Sequence, residues 1–401
     1  MTTTLKPENA GQVRDAIAWA VAQETPLEVL GGGSKRAIGR PGNAGHTLDL
    51  SALRGITLYE AEELVLSAGP GTPIAEIDAA LGEFNQELAF EPPDYGPLLG
   101  QAAGAGTLGG VIAANLAGPR RIKAGAARDH FLGFAAVSGR GEAFKSGGRV
   151  VKNVTGYDLC KVLAGSWGTL GAMTQVTVKV LPAAPKLRTV LILGCDGHQA
   201  TAAMTGALQS PYEVSGAAFL PAASAARSGV DYVCRAAASV IAIRIEGPDQ
   251  SVEYRCAALR AALAEFGPTE ELHGHNSAAF WREVRDVLPF AGDTRIVWKI
   301  SVPPSDGARV ADSLDGDAFL DWGGGLIWLA VDAADGAHQA VRAAIAGCGG
   351  HATLIRAPAE LRAAIAVFQP EEPGLARLSA GLKASFDPRG VLNPGRIYAG
   401  V

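Results

Sequence analysis

The chain has 401 residues, 48% of them hydrophobic, and carries 35 Lys and Arg against 40 Asp and Glu. This length predicts two or three domains, and the net charge of −5 gives no reason to expect nucleic acid or an acidic membrane surface as a partner. No stretch approaches the ~18 apolar residues of a membrane span, and the first residues lack a signal-peptide pattern, so we expect a cytoplasmic protein.

The cysteines and histidines predict no metal site. The five cysteines lie at least 22 residues apart, which excludes a local iron–sulfur or zinc ligand set. Among seven histidines, only His273 and His275 form a close pair, and no third ligand accompanies them. We therefore interpret them as surface histidines.

The first residues predict helices alternating with short strands. Val13, Ile17 and Val21 recur every four residues, which predicts an amphipathic helix over 8–24. Thr72 is predicted to cap a second helix, with Pro73 at its first position. Between the two helices, apolar runs predict strands at 27–30, 47–50, 56–59 and 64–68.

A glycine loop follows the first of these strands, in the stretch PLEVLGGGSKRAIG at 26–39. The spacing excludes a P-loop, and the segment after Gly33 lacks the helix that a Rossmann fingerprint requires. Consecutive glycines let successive N–H groups converge on an anion, and Lys35 and Arg36 lie at the rim. The loop taken alone predicts either a phosphate site or a tight turn.

A second glycine cluster lies in GAGTLGGVIAANLAG at 104–118. Gly109 and Gly110 precede an alanine-rich segment, which predicts a helix thin enough for a flat ligand or another backbone to approach closely. Tight helix–sheet packing would explain the alanines equally well.

The next segments predict a hairpin and a short helix. FLGFAAVSGRGEAF is a predicted hairpin with its turn at 139–142, and GYDLCKVLAGSWG at 156–168 is a predicted helix closed by glycine. We expect Asp158 to lie at the head of this helix, where it caps the helix or hydrogen-bonds to backbone. Alternating valines then predict a strand that ends at Pro182.

Beyond Pro185 the motifs described so far do not recur until the tail of the chain. Helices are predicted at 248–265 and 336–347, between strands at 188–193, 239–245, 295–302, 325–331 and 352–356. This mixture of predicted helices and strands indicates an α+β region, so we place a domain boundary near 183–186. The tail FDPRGVLNPGRIY at 386–398 is again rich in turn residues.

The order of the motifs resembles one known pattern. The sequence reads GGGSK at 31–35, AGPGTP at 68–73, TLGGVIAAN at 107–115, RDHFLG at 128–133, VKNVTGYDL at 151–159, GSWGTLG at 165–171 and LNPGR at 392–396. This order resembles the vanillyl-alcohol-oxidase (PCMH) type of FAD-binding protein, and within it the family of E subunits of bacterial glycolate oxidase (glycolate dehydrogenase). The resemblance covers residues 5–182 and 374–398.

The resemblance implies an α+β fold in which FAD lies extended between two α+β subdomains, with an α+β cap domain over the flavin ring. It implies an FAD-binding domain at 1–183, a cap domain at 184–370, and a segment at 371–401 that packs back on the FAD domain. It assigns the pyrophosphate to the first glycine loop, the flavin to the second, and the adenine or ring end to 165–170. The implied cofactor-binding residues are Gly31, Gly32, Gly33, Ser34, Lys35, Gly69, Gly71, Thr107, Leu108, Gly109, Gly110, Asn115, Gly118, Asp129, Gly165, Gly168, Thr169, Leu170 and Arg396.

Two departures qualify what the resemblance implies. Members with covalent flavin often use a His or Cys in the pyrophosphate loop; neither occurs at 31–45, so we expect non-covalent FAD. Related catalytic chains carry Glu where this one has Trp167, so no catalytic residue is assigned. Arg120 and Arg121 are interpreted as steering an anion, facing a partner or being merely solvated.

Three functions remain open. The first is an FAD-binding subunit of glycolate dehydrogenase that relays electrons from a catalytic FAD subunit toward an iron–sulfur subunit, and meets the inner face of the membrane only through that complex. The second is a self-sufficient FAD-dependent 2-hydroxy-acid dehydrogenase, which needs an anion-binding arginine such as Arg244, Arg282, Arg285 or Arg295. The third is a scaffold subunit without a redox role.

Overall fold

The computed structural model describes residues 3–149, 156–333 and 336–400. Residues 151–155 of the predicted VKNVTGYDL motif therefore lie outside the described residues. The strands are β1 (Thr3–Leu5), β2 (Leu27–Leu30), β3 (His46–Asp49), β4 (Ile56–Glu60), β5 (Val65–Ala68), β6 (Gln86–Glu87), β7 (Phe131–Ser138), β8 (Ala143–Gly147), β9 (Gly171–Lys179), β10 (Leu181–Pro182), β11 (Lys186–Leu193), β12 (Gly216–Leu220), β13 (Val240–Gly247), β14 (Thr269–His273), β15 (Ile296–Ser301), β16 (Asp317–Asp321), β17 (Leu326–Val331) and β18 (His351–Arg356).

The helices connect these strands and cover their faces. They are α1 (Ala10–Ala22), α2 (Ile74–Gly82), α3 (Leu108–Ala113), α4 (Arg121–Ala124), α5 (Ala127–His130), α6 (Leu159–Leu163), α7 (Gly197–Gln209), α8 (Ala222–Ala225), α9 (Asp231–Cys234), α10 (Asp249–Ala262), α11 (Gly274–Arg285), α12 (Gly307–Asp312), α13 (Ala337–Ala346), α14 (Ala359–Ala364) and α15 (Pro373–Phe386). No helix in the described ranges combines the length and the apolar character that crossing a bilayer demands.

The described chain divides into two compact units. Unit 1 comprises Met1–Ala117, Gly125–Pro182 and Pro358–Val401, where these are described, and unit 2 comprises Gly118–Ala124 and Ala183–Ala357. The domain boundaries predicted from the sequence stay predictions.

Unit 1 contains a parallel sheet in the order β1-β3-β2, an antiparallel sheet in the order β4-β5-β9-β7-β8, and the pair β10-β6. Val13 and Ile17 of α1 pack with Leu27, Leu48 and Leu392 in one buried core. The C-terminal segment extends the parallel sheet, since Leu27 N–H donates to the Val391 carbonyl at 2.7 Å. Leu392 pairs with Leu27 in parallel, so the following residues of the LNPGR segment run beside β2 toward the glycine loop.

Unit 2 is built on an antiparallel sheet in the order β14-β11-β13-β12-β16-β17-β15-β18. Helices pack against it, and Arg120 pairs with Glu246 at 2.7 Å in a mostly buried salt bridge. The guanidinium carbon of Arg121 lies 4.5 Å from the ring centroid of Trp322. Both arginines therefore have contacts within unit 2.

Several predicted elements are confirmed and one cap is wrong. The hairpin joins β7 to β8, and the periodic helix is α1, although its cap is Asn9, whose side chain accepts from Gln12 N–H. Thr72 does not cap α2: its hydroxyl donates to the Gly69 carbonyl at 2.7 Å, and Pro73 occupies the cap position. Asp158 is at the cap position of α6, without a side-chain capping hydrogen bond.

Candidate functional site: a glycine-lined cavity in unit 1

A cavity opens in unit 1 where the two glycine loops meet the LNPGR segment. Its lining combines glycines, apolar side chains and cations. The lining residues are Glu28, Val29, Leu30, Gly31, Gly32, Gly33, Ser34, Lys35, Arg36, Leu50, Pro70, Thr107, Gly109, Gly110, Ala113, Trp167, Gly168, Gly171, Met173, Asn393 and Arg396. Ten of the predicted cofactor-binding residues are thus brought to one cavity: the five of the first loop, together with Thr107, Gly109, Gly110, Gly168 and Arg396.

The glycines of the first loop are needed for two different reasons. A Cβ on Gly31 would lie 2.7 Å from the Thr107 hydroxyl, and one on Gly32 would lie 2.2 Å from the Ala105 carbonyl oxygen. Gly33 has a φ of +71° and open space beside it, so conformation rather than crowding selects glycine there. The first two glycines therefore let the loops touch, and the third turns the backbone beside the open cavity.

The second loop begins the short helix α3. Thr107 caps it by accepting a hydrogen bond from Gly110 N–H at 3.3 Å. A Cβ on Gly109 would lie 2.5 Å from the Pro70 Cβ, so this glycine is needed for the approach of the 70–72 segment. A Cβ on Gly110 would lie 3.4 Å from the Lys35 Nζ, which shows that the lysine reaches across from one loop to the other.

Lys35 is the central cation of the cavity. Its Nζ donates to the Ser34 hydroxyl at 3.1 Å, which is a weak partner for an ammonium group. Burial lowers the pKa of Lys35 to about 8, and the nearby Asp94 carboxylate opposes this shift. Desolvation of a cation is relieved when an anion approaches it, so this position favours an anionic ligand.

Two arginines extend the positive charge. Arg36 donates to both oxygens of Glu28, with Nη2 at 2.5 Å from Oε2, so this carboxylate is already paired. Arg396 donates to the Lys35 carbonyl at 2.9 Å, and its guanidinium carbon lies 5.9 Å from the Trp167 ring centroid. Burial, chiefly, lowers the pKa of Arg396 to about 10, and it is still protonated at neutral pH.

Asn393 is a lining residue that sequence reasoning missed. Its side-chain oxygen accepts from Val29 N–H at 2.8 Å, and its amide donates to the Val29 and Trp167 carbonyls at 3.2 and 2.7 Å. It therefore ties β2 to the 165–171 loop. The signal was partly available, because Asn393 belongs to the LNPGR motif and asparagine tolerates the left-handed conformation that it adopts, with a φ of +42°.

The other predicted residues lie outside the cavity lining. Gly69 and Gly71 pack tightly against backbone of 50–54, and Leu108 and Leu170 are buried. Asn115 accepts from Arg128 N–H at 3.0 Å, Asp129 accepts from Ala126 N–H at 2.8 Å, and Thr169 donates to the Ser166 carbonyl at 2.8 Å. The Gly165 N–H donates to the Ile112 carbonyl, and Gly118 belongs to unit 2, where its carbonyl accepts from the Trp322 indole at 3.1 Å. Their predicted binding roles stay predictions.

The arrangement fits a dinucleotide diphosphate. A glycine at positive φ and a desolvated lysine are groups of the kind that bind phosphate oxygens in other proteins. Leu50, Pro70, Trp167 and Met173 supply apolar surface for ring systems in the same cavity. Elsewhere, the described residues contain no cluster of three or more His, Cys, Asp or Glu placed to hold a metal, and His273 lies 3.6 Å from Glu271.

Comparison with known proteins assigns the fold and the cofactor. The family described as FAD binding domain matches residues 2–147. Glycolate oxidase subunit GlcE of Escherichia coli strain K12 is 37% identical over 382 residues, which cover 95% of each chain. Glycolate oxidase subunit GlcD of Bacillus subtilis strain 168 is 24% identical over 435 residues, covering 98% of this chain and 88% of the relative.

Solved structures show the same fold at low sequence identity. The 4-ethylphenol oxidase of Gulosibacter chungangensis superposes with a TM-score of 0.70 at 16% identity, over 99% of this chain and 89% of that one. For p-cresol methylhydroxylase the TM-score is 0.70 at 13% identity, over 98% and 88% of the two chains. The predicted vanillyl-alcohol-oxidase-type fold, FAD as the cofactor and the FAD-linked oxidoreductase class are confirmed. With more than a third of its residues identical along nearly its whole length, the chain belongs to the family of the glycolate oxidase subunit GlcE.

Proposed function

We propose that this chain is the FAD-binding subunit of a multi-subunit glycolate dehydrogenase and relays electrons from a catalytic flavoprotein subunit toward an iron–sulfur subunit. The observation that carries the proposal is the cationic glycine cavity in a chain that is 37% identical to GlcE over 95% of its length. FAD, when bound, can accept two electrons together and release them singly. Any membrane association would be indirect, through the assembled complex.

The cavity residues suit cofactor binding better than substrate oxidation. The first glycine loop and Lys35 would hold the diphosphate without a covalent bond. Among the described lining residues the carboxylate is Glu28, and its two oxygens are engaged by Arg36. A free carboxylate or imidazole that could take a proton from a 2-hydroxy acid is therefore not among these lining residues, which supports a relay rather than a catalytic role.

The arginines named as anion-binding candidates give little support to the alternative of a self-sufficient dehydrogenase. Arg244 is buried and donates to Ser215, and Arg295 lies 2.6 Å from Asp293 and 2.9 Å from Asp317. Arg285 pairs with Asp286 at 2.8 Å. These three guanidinium groups are engaged in structural contacts, so they are poor candidates for capturing a free carboxylate.

Helix α15 supports membership of an assembly. Leu375, Leu378 and Leu382 recur at helical spacing and are 53%, 67% and 41% exposed, while Lys383 on the same helix is buried. An apolar stripe on the outer face of a helix is typical of a surface that another chain covers. We assign this stripe to another subunit of the complex.

An absorbance spectrum tests the proposal. The chain would be purified alone and together with a GlcD-type flavoprotein and an iron–sulfur subunit, and glycolate would then be added without oxygen. We expect flavin bands in the lone chain that bleach only in the assembly.

Two other results would overturn it. Bleaching of the lone chain by glycolate would establish a self-sufficient dehydrogenase. A colourless chain that still assembles would establish a scaffold. A variant of the cavity, Gly32→Ala, provides the control for flavin bound at the proposed place.

A further inference from the structure

Asp94 lies in the turn-rich segment EPPDYGP at 91–97, which precedes the second glycine loop. Its Oδ1 accepts a hydrogen bond from Gly96 N–H at 3.0 Å, and its Oδ2 accepts one from Gly104 N–H at 2.6 Å. Hydrogen bonds that a carboxylate accepts are stronger than those between neutral groups. A single side chain therefore closes the 94–104 loop at both of its ends.

The loop that Asp94 closes is tightly packed. A Cβ on Gly96 would lie 2.4 Å from the Ala102 carbonyl oxygen, and the Gly96 carbonyl accepts from Gln101 N–H at 2.8 Å. Gly104 ends the loop with a φ of +84°, in the left-handed region that favours glycine. The position of Gly104 is therefore fixed relative to the start of the loop.

The residue after Gly104 touches the first glycine loop. The carbonyl oxygen of Ala105 is the atom that a Cβ on Gly32 would approach to 2.2 Å. Because the two loops meet here without room for a methyl group, a shift of Ala105 must also move Gly32. Asp94 therefore acts on the first glycine loop through the position of Ala105.

The charge of Asp94 also acts on Lys35, the central cation of the cavity. Burial lowers the pKa of Lys35, and the Asp94 carboxylate opposes this shift. Three further charged groups lie beside Lys35. Glu28 is paired with Arg36 at 2.5 Å, and Arg396 donates to the Lys35 carbonyl at 2.9 Å. Of these groups and Asp94, it is Asp94 whose charge favours the protonated form of Lys35.

We propose that Asp94 is a positioning residue of the FAD site, which holds the Ala105 carbonyl against Gly32 and whose charge acts on Lys35. The proposal rests on the placement of the FAD diphosphate at the first glycine loop. It does not rest on the electron relay, which the addition of glycolate tests separately. Two variants separate the two roles: Asp94→Asn removes the charge and keeps the size, whereas Asp94→Glu keeps the charge and alters the fit.

Titration of FAD into the purified chain between pH 6.5 and 9.5 tests the role of the charge. In the unmodified chain, affinity should decline as the pH rises through about 8, the pKa of Lys35. Without the Asp94 carboxylate, Lys35 loses its proton at lower pH, so the affinity of Asp94→Asn at pH 8 relative to pH 6.5 should fall at least about twofold further. Asp94→Glu should keep the decline near its original pH. A structural role alone would lower the affinity equally at every pH.

Hydrogen exchange in the absence of FAD tests the role in the loop. Gly104 N–H should exchange at least about tenfold faster in both variants, because asparagine offers one acceptor oxygen and glutamate is longer by a methylene group. Asp15→Asn is the matched control, since Asp15 is an exposed carboxylate on α1 that pairs with Arg14 at 2.9 Å. It should change neither readout. Circular dichroism across the pH range establishes that each variant is folded, and the pH of the decline is read within each variant.

Two results would overturn the proposal: an unchanged pH of the decline in Asp94→Asn, or unchanged exchange of Gly104 N–H in both variants. Lys35→Gln shows which assumption has failed. Full FAD affinity of Lys35→Gln at pH 6.5 would show that the diphosphate is not at the first glycine loop, and the proposal would fall with that placement. Weaker binding by Lys35→Gln, with the decline unmoved in Asp94→Asn, would leave the placement intact and reject the role of Asp94 alone.

Discussion

Gly32 is the residue of the first loop that tolerates a side chain least. A Cβ there would lie 2.2 Å from the Ala105 carbonyl oxygen, so Gly32→Ala must push the two glycine loops apart. We expect FAD affinity to fall by at least about tenfold, or ~1.4 kcal/mol. Flavin titration measures this, and Gly42→Ala is the control, because a Cβ on Gly42 meets no atom within 4 Å. Unchanged affinity in Gly32→Ala would show that the loops do not bind the cofactor.

Lys35 should make FAD binding pH-dependent. Its pKa is about 8 without an anion, and a diphosphate interacts with the protonated form. Affinity should therefore be full below pH 8 and decline as the pH rises through and above that value. Titrations between pH 6.5 and 9.5 measure the decline, which Lys35→Gln should abolish and the exposed Lys6→Gln should leave unchanged. The same decline in Lys35→Gln would assign it to another group.

At the scale of single residues, the sequence predicted the glycine loops and Arg396 but not their partners. The crowding of Gly32 comes from Ala105, which is more than seventy positions away, and no local pattern encodes that contact. Pro70, Asn393 and Met173 reach the cavity through the packing of separate segments. The order of the motifs predicted that these residues lie near one another, but only the fold decides which of them line the cavity.

A buried ion pair and two hydrogen bonds hold helix α15 against the rest of unit 1. The Lys383 Nζ donates to Asp387 at 2.7 Å and to the Thr169 and Leu392 carbonyls at 2.8 Å each. Lys383→Met would leave the Asp387 carboxylate buried without its cation, so we expect the free energy of unfolding to fall by ~3–5 kcal/mol. Urea unfolding measures the loss. Arg389→Gln, which breaks an exposed pair with Glu24, should cost only ~0–1 kcal/mol.

The outer face of α15 should govern assembly instead. Replacing Leu375, Leu378 and Leu382 together by serine should leave the stability of the lone chain nearly unchanged, because these side chains are exposed. Co-purification with the other subunits should fall at least about tenfold, as expected for the loss of apolar contacts at an interface core. Arg377→Ser on the same helix is the control. Full assembly by the triple variant would show that the subunits meet elsewhere.

Periodicity in the sequence predicted some elements, and two strands without it were missed. The spacing of Val13 and Ile17 predicted α1, and the alternating valines predicted β9. Strands β12 (GAAFL) and β14 (TEELH) escaped prediction: the first is rich in small residues, and the second is polar because it lies at the edge of its sheet. The Thr72 cap failed because its hydroxyl has a tertiary role in the 55–72 turn.

At the scale of the whole molecule, FAD should stabilise unit 1 by mass action. A free concentration of one hundred times Kd adds about 2.7 kcal/mol to a state that binds FAD only when folded. Hydrogen exchange should show the added protection at the backbone of 31–36 and 107–110. Riboflavin, which has no diphosphate, is the control and should protect the first loop much less. Absence of added protection at 31–36 would contradict the assignment of the diphosphate to that loop.

Unit 1 is assembled from three separate stretches of chain, and its cavity joins Val29 and Gly31 to Asn393 and Arg396. Translation makes the glycine loop long before these partners, which follow more than 350 residues later. A nascent chain halted before Asn393 lacks two of the residues that line the cavity. We therefore expect such a halted chain to bind flavin poorly, so that flavin colour during synthesis would report chains that extend past Arg396.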